Sequence, residues 1–516
     1  MKEWGVPVRG FTSMILCASA AARMPLAGKV AFANHAMHGS SRRGLHHAER
    51  GSGSGNNIND RSSCRLWARM LSHGSRRNNG DSVASALQFS SSSSGGDGGG
   101  DPAGSDELDA CVKAAVAALP SRPRVAVVGA GFAGLATAYH LAAFGSDVTV
   151  FDPHEAGTGT GASSVAAGLL HPLTPRGKLI WKGEEGYKAA KHLIETVNAK
   201  LAHDAAAGEN AGEKGKGQQQ GCLTTDKVYR PLMDDKQLDL FTEAAKDLPQ
   251  WVESLTREEL MEAVPGSTAD CLGGVRIRGA LAVDAPTYLK GLWAVCRALV
   301  NKGSTSSSSS SSRSANSGGD GNDSAMWVRR DVKDIHALAA SGEFNAVVAC
   351  VGAGVRVLAG VKDIVSLRFY VVPSTVDETG AAGGNGGKVL LGATQEYVMS
   401  GQKVDTPPDM EKAIRQLGPK VAKFFPALKG VEPIGVTSGV RVMQDRNSHG
   451  RIPIAGRLPF SRRGWVIAAM GARGLIHHAY LGKLIAACAL LDSDERLPPQ
   501  VMGPLEDLGK EATGDL

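Results

Sequence analysis

Three glycines and an acid make the first feature with chemistry in it. The run VAVVGAGFAGLATA places Gly129, Gly131 and Gly134 in G-x-G-x-x-G register between an apolar strand pattern and an Ala-rich helical one. Gly129 permits the tight turn, Gly131 lets a pyrophosphate approach the backbone, and Gly134 lets helix and strand pack closely. The free N–H groups at that helix start then bind phosphate charge. Asp152, at the end of the next strand pattern (DVTVF), puts a carboxylate where ribose hydroxyls can donate to it. Strand, glycine turn, helix, second strand and terminal acid together point to a dinucleotide.

Which dinucleotide follows from pieces further along. GASSVAAGLLHP (Gly161–Pro172) brings small residues and two hydroxyls just after the acid, and Phe344–Gly354 is a late strand ending in VGAG, with Gly352 at its turn. Near the C-terminus GWVIAAMGARGLIHHAYL (Gly464–Leu481) feeds a strand into a glycine-flanked helix start. Positive potential at such a helix start suits the anionic reduced ring of a flavin. Pieces so widely spread, all shaped to approach one ligand, fit FAD better than NAD, whose site is usually confined to the first half-domain.

The elements that must position these residues read as an α/β fold. RVAVV (Arg124–Val128), Asp147–Phe151, Met326–Val332, Phe344–Val351 and Trp465–Met470 are expected strands, the near-continuous apolar ones suited to a parallel sheet covered on both faces. Ala133–Phe144, Tyr187–Leu201, Leu238–Ser254, Pro286–Val300 and a last segment through Leu491 have helical spacing. Ser/Gly-rich tracts at Ala205–Gly221, Gly303–Ser324 and Thr379–Gly387 read as surface-loop insertions, not domain borders.

In this order the segments resemble the FAD-dependent D-amino-acid oxidase superfamily, which includes glycine and sarcosine oxidases. The first glycines, GASSVAAGLL, LLGAT (Leu390–Thr394), GVR (Gly439–Arg441) and GARGL (Gly471–Leu475) carry the likeness, over roughly Arg124 to Leu491. LLHPL, and GARGL in place of the commoner G-H-x-x-G, are similar to the FAD domain of the bacterial enzyme that matures tRNA wobble methylaminomethyl-uridine. The resemblance implies a discontinuous Rossmann-like FAD-binding domain (108–180, 291–360 and 441–516). It also implies a substrate domain on a mixed, mostly antiparallel sheet (181–290 and 361–440). It assigns Gly129, Gly131, Gly134 and Asp152 to the ADP half, and Ser163, Ser164, Ala167, Gly168 and Leu169 to pyrophosphate and flavin. Val332 is assigned to a backbone contact with adenine, and Gly471, Ala472, Gly474 and Leu475 to the flavin pyrimidine edge. Arg441 corresponds to the arginine that pairs with a substrate carboxylate, and Arg473 to a second basic residue beside the flavin. A guanidinium grips a carboxylate in two parallel hydrogen bonds, which a lysine cannot reproduce; an ion pair between Arg441 and Asp445 is the competing reading. Where many relatives carry Arg-Gly-Gln, this chain has Arg368-Phe369-Tyr370, a change that either reshapes the pocket or repacks a strand.

The expected activity is oxidation of a primary or secondary amine, most plausibly an amino acid, to an imine, with oxygen as acceptor. A wobble-uridine side-chain oxidase and a non-enzymatic FAD-binding scaffold are the alternatives. His477 and His478 are adjacent, so they do not form the i, i+4 metal pair and read as helix-face histidines. Arg176, Lys178, Lys182, Lys188 and Lys191, interrupted by Glu184 and Glu185, read as a solvated face.

Charge supports this division. The chain of 516 residues has a formal charge of +6. Residues 1–80 alone hold twelve basic and three acidic side chains, so the remainder is net acidic and a globally basic nucleic-acid binder is disfavoured. The Ser-, Arg- and Ala-rich start makes residues 1–107 an expected disordered targeting leader and linker, with order beginning near Leu108. Import into an organelle, the plastid ahead of the mitochondrion, is preferred to secretion from the short apolar run Phe11–Ala22. No run reaches the eighteen or so uncharged apolar residues of a spanning helix. Eight cysteines without a C-x-x-C pair read as reduced thiols.

Overall fold

The computed structural model describes residues 11–18, 30–37, 103–209, 221–304, 325–356, 368–375, 391–392, 396–398, 410–429, 437–444, 450–459, 461–503 and 505. Asp445, most of the LLGAT run and the greater part of each Ser/Gly-rich tract lie outside them.

The elements that build the site are, in chain order, β1 (Arg124–Val128), α1 (Phe132–Ala143), β2 (Asp147–Phe151), β3 (Leu169–Leu170), α2 (Gly183–Glu209), β4 (Val228–Leu232), α3 (Ala285–Ser304), β5 (Ala325–Val328), β6 (Ala346–Ala349), β7 (Thr437–Met443), β8 (Ile454–Arg457), β9 (Gly464–Ala468) and α4 (Gly474–Leu491). Six strands form one sheet in the order β5–β2–β1–β6–β9–β8. All neighbours are parallel except β8, which runs antiparallel to β9. β6 and β9 are buried at every position, as their unbroken apolar sequences require of strands covered on both faces. On one face α1 packs against α4 and α3, and α2 packs against α4 and α3 in turn.

The substrate domain is antiparallel throughout its described pairings. β4 pairs with Gly273–Ile277, which pairs with Val252–Leu255, and Arg368–Thr375 pairs with β7. β7 runs through residue 440 without interruption, so Arg441 stands on this sheet, opposite Tyr370.

The helix expected over Leu238–Ser254 divides into a helix, Asp235–Asp247, and a strand, Val252–Leu255. Leu248 precedes Pro249, and the residue before a proline is disfavoured in the helical region. Within residues 1–107, expected to be disordered, Phe11–Ala18 and Val30–Met37 pair as an antiparallel hairpin that continues onto β4 through Leu16 and Tyr229, so the apolar run there forms a strand. A helix starts at Ala103 rather than near Leu108.

α4 is long and apolar enough to cross a membrane, but it is a core helix, most of it enclosed by α1, α2 and the sheet. Cys111, Cys222, Cys271, Cys296, Cys350 and Cys488 are not in disulfides.

Candidate functional site: a flavin cradle and a buried arginine

The turn after β1 is built as its glycines demand. Gly129 has φ +99° and donates its N–H to the Phe151 carbonyl at 2.8 Å. A Cβ on Gly134 would overlap the Gly129 carbonyl oxygen, so α1 lies against the turn only because that position is glycine. Asp152 is held with one oxygen accepting from the Ala130 N–H at 2.8 Å and the other from His154 N–H at 2.9 Å. The remaining lone pairs are free to accept from ribose hydroxyls. Ser163 Oγ accepts from the Phe132 N–H at 3.1 Å and sits 2.9 Å from where a Gly131 Cβ would be. Beyond β5, Val332 packs on the cluster that contains Phe151, placing it on the Asp152 side of the sheet.

The starts of α1 and α4 converge. Gly474, the first residue of α4, directs its Cβ position to within 3.5 Å of Phe132, the first residue of α1. Neither N-cap, Gly131 or Arg473, supplies a side-chain cap. Two positive helix ends facing one place, one beside the Asp152 carboxylate and the other beside a small-residue loop, suit a ligand with both a pyrophosphate and an electron-accepting ring. The residues present therefore fit FAD. Ser163, Ser164, Ala167, Leu169, Gly471, Ala472, Arg473 and Gly474 are half-buried although they lie among buried elements, as the walls of a cleft are. Gly168 (φ +69°) and Leu475 are buried behind them, and Gly352 (φ +52°) is exposed at the turn after β6.

β7 brings Arg441 to this cleft. Along a strand, residues two apart share a face. A Cβ on Gly439 would come 2.7 Å from Val165 and 2.8 Å from Ala162, while Met443 bridges to Met470 and fills the space beside Gly471. Arg441, on the same face between them, is aimed at the gap between the two flavin loops. It is half-buried, and among the described residues no acid pairs with it. Burial alone lowers its pKa to about 10. Arg473 reaches the same region from the α4 start and is near enough to depress His477.

Ala469, next to this loop, is one of three non-glycine residues with positive φ among the described residues, at +58°. The left-handed region costs a side-chain-bearing residue about 1–2 kcal/mol. Ala469→Gly is expected to be neutral to stabilising by up to about 1 kcal/mol and Ala469→Val clearly destabilising, as urea unfolding would show.

Both adjacent histidines are fully buried, unlike the expected helix-face pair. His478 donates from Nδ1 to the Leu475 carbonyl at 2.7 Å and accepts from the Tyr288 hydroxyl at 2.7 Å, while neither nitrogen of His477 has a partner and its ring lies 5.7 Å from that of Trp181. Burial holds His477 and His140 at about 3, with Arg473 adding to the first and Lys483 to the second, and holds His478 at about 4. A histidine depressed in the native state takes up a proton on unfolding between its native pKa and about 6.5. Stability is therefore expected to be intact above about pH 6.5 and to fall steeply as pH drops toward 4, which ΔG of unfolding measured against pH would reveal.

Two residues had no role assigned from the sequence, although His171 lies within LLHPL. Arg230, 2% exposed, donates to the Pro175 carbonyl at 2.7 Å and stacks 4.4 Å over Phe241. His171 follows β3, and its Nδ1 accepts the Leu173 N–H at 3.2 Å. An arginine inside an otherwise apolar strand, VYRPL, was the only sign of the first.

The chain matches the family model described as FAD dependent oxidoreductase over residues 124–488. Among solved structures it is similar to glycine oxidase from Geobacillus kaustophilus (TM-score 0.51, 18% identity, covering 74% of this chain and 98% of that one). It is also similar to glycine oxidase from Bacillus cereus (TM-score 0.50, 14% identity, 74% and 97%). L-amino acid deaminase from Proteus myxofaciens gives a TM-score of 0.49 at 14% identity, covering 75% of this chain and 94% of that one. No curated protein matches the sequence. The glycine cradle, the paired helix starts and the six-stranded sheet are thus those of a known lineage: the chain belongs to the FAD-dependent oxidoreductases of the D-amino-acid oxidase superfamily.

Proposed function

We propose that this oxidoreductase acts on a primary or secondary amine bearing a carboxylate, an amino acid, and converts it to an imine that water then hydrolyses. The observation that supports the reading best is Arg441, which has no acidic partner among the described residues and lies on the strand that carries Gly439 against Ala162–Val165 and Met443 against Gly471. A buried cation left in this state is completed by an anionic ligand, and its planar fork orients a carboxylate bidentately. Bound FAD would supply the acceptor for the hydride on the carbon that bears the nitrogen, with oxygen as the proposed final acceptor and peroxide as its product. The protein's share is to fix that carbon's distance and angle, which converts binding energy into rate. Arg473 adds positive potential at the α4 start.

The full chain loaded with FAD, mixed anaerobically with amino acids, N-methyl amino acids and under-modified tRNA, tests the reading. Bleaching of the flavin by a small amino acid, and peroxide on readmission of air, are the expected results. Bleaching by tRNA alone would move the activity to wobble-uridine chemistry. A flavin that nothing in the panel reduces would favour the scaffold.

Import into an organelle, the plastid first, is proposed on the basic, acid-poor start of the chain. A fluorescent protein fused behind residues 1–107 is expected in plastids; cytosolic fluorescence refutes it.

A further inference from the structure

We infer that Tyr288 and His478 are a positioning pair: they fix the flavin loop Gly471–Leu475 against the glycine turn, and so set how tightly FAD is held and how easily it is reduced. The pair acts on the cofactor, so its role is independent of the substrate.

Three helices begin at one cluster of rings. Phe132 is the first residue of α1, Tyr288 the fourth of α3 and His478 the fifth of α4. Their ring centroids lie 5.6 Å (Phe132 to His478), 5.7 Å (Tyr288 to His478) and 6.1 Å (Phe132 to Tyr288) apart. All three side chains are buried. Purely apolar rings would fill this space as well, so packing does not account for a hydroxyl and an imidazole sealed from water, where each needs a partner.

The polar atoms supply direction. The Leu475 carbonyl can only accept, so Nδ1 of His478 carries the proton on that side; burial holds this histidine at about 4, so the ring is neutral and Nε2 is left to accept from the Tyr288 hydroxyl. Both bonds are 2.7 Å long. Leu475 is the last residue of the flavin loop and the second of α4, so α3 grips the α4 start through two directed bonds where ring contacts alone would let it slide. Phe132 passes the constraint to α1. Its ring meets His478 and lies 3.5 Å from the Gly474 Cβ position, while its N–H donates to Ser163 Oγ at 3.1 Å. One buried pair therefore sets the spacing of the two positive helix ends. Their potential favours an anionic reduced flavin over the neutral oxidised one, so loosening the pair costs the reduced form more.

The test uses the FAD-loaded full chain with Tyr288→Phe, His478→Leu, His478→Gln and the double variant Tyr288→Phe/His478→Leu. Flavin fluorescence gives the Kd for FAD, and an anaerobic titration against a reference dye gives the midpoint potential. Either apolar single substitution is expected to weaken FAD binding about 5- to 50-fold. The reduced form should lose about tenfold more, which makes the potential more negative by about 30 mV for two electrons. The double variant removes both buried polar groups together, so its urea midpoint is expected to return toward the parent's while affinity and potential stay shifted. His478→Gln keeps one donor and one acceptor and is expected to restore part of both. Leu260→Ala, in the buried cluster around Tyr229 and Phe424, controls for lost stability and is expected to leave the potential in place. A parent-like potential in the single variants, a double variant that recovers potential together with stability, or an equal shift in Leu260→Ala overturns the inference. If a single variant does not fold, the double and glutamine variants still decide it.

Discussion

Replacing Arg441 by leucine is expected to lower kcat/KM for an amino-acid substrate about thirty- to several-thousand-fold, since truncating one partner of a buried, hydrogen-bonded charge pair costs about 2–5 kcal/mol. Lysine at 441 should recover only part, because it keeps the charge and loses the fork. The same leucine variant is expected to be more stable than the parent when no carboxylate is bound. Burial has moved the guanidinium from its ordinary value down to about 10. For a depressed cation, the cost of holding charge is fully present below about pH 10 and is relieved only as pH rises toward the unfolded value. At neutral pH the folded protein bears all of it, and leucine removes it. Urea midpoints for parent and variant, with and without a carboxylate ligand, measure this. Equal midpoints together with unchanged kcat/KM would mean that Arg441 is a structural residue and that the substrate anchor lies elsewhere.

The parallel half of the fold was legible because its signals are local. An unbroken apolar strand, a glycine at each close approach and an acid at the strand end each answer to a nearby steric or hydrogen-bonding need. Gly134 against the Gly129 carbonyl is the clearest case. The helix expected through Ser254 failed at Leu248-Pro249 because helical spacing was read across a breaker. Arg441 could be named from family order, but its surroundings could not: they depend on what β7 packs against, contributed from Ala162–Val165 and Met470–Gly471, far away in the chain. His171 shows the limit best. Its tautomer and its neutrality depend on Leu173, on burial and on Arg230, none of which a linear motif records.

Gly134→Ala is expected to abolish FAD retention and to destabilise the protein by about 3 kcal/mol or more. The added methyl would overlap the Gly129 carbonyl oxygen, a backbone atom fixed by the turn and unable to rotate away. Overpacking in a well-filled core costs about 1–3 kcal/mol even when side chains can adjust. Here the adjustment has to move α1 off β1, and with it the N–H groups that would hold the pyrophosphate. Gly131→Ala is the informative contrast. Its methyl would meet Ser163 Oγ at 2.9 Å, the end of a side chain that can turn, at the cost of the Oγ bond to the Phe132 N–H. That variant should fold with a nearly normal midpoint yet bind FAD more weakly. Flavin content at 450 nm and thermal unfolding of the two proteins separate the effects. If both retained flavin equally, close approach of backbone to pyrophosphate would not explain why these two positions are glycine.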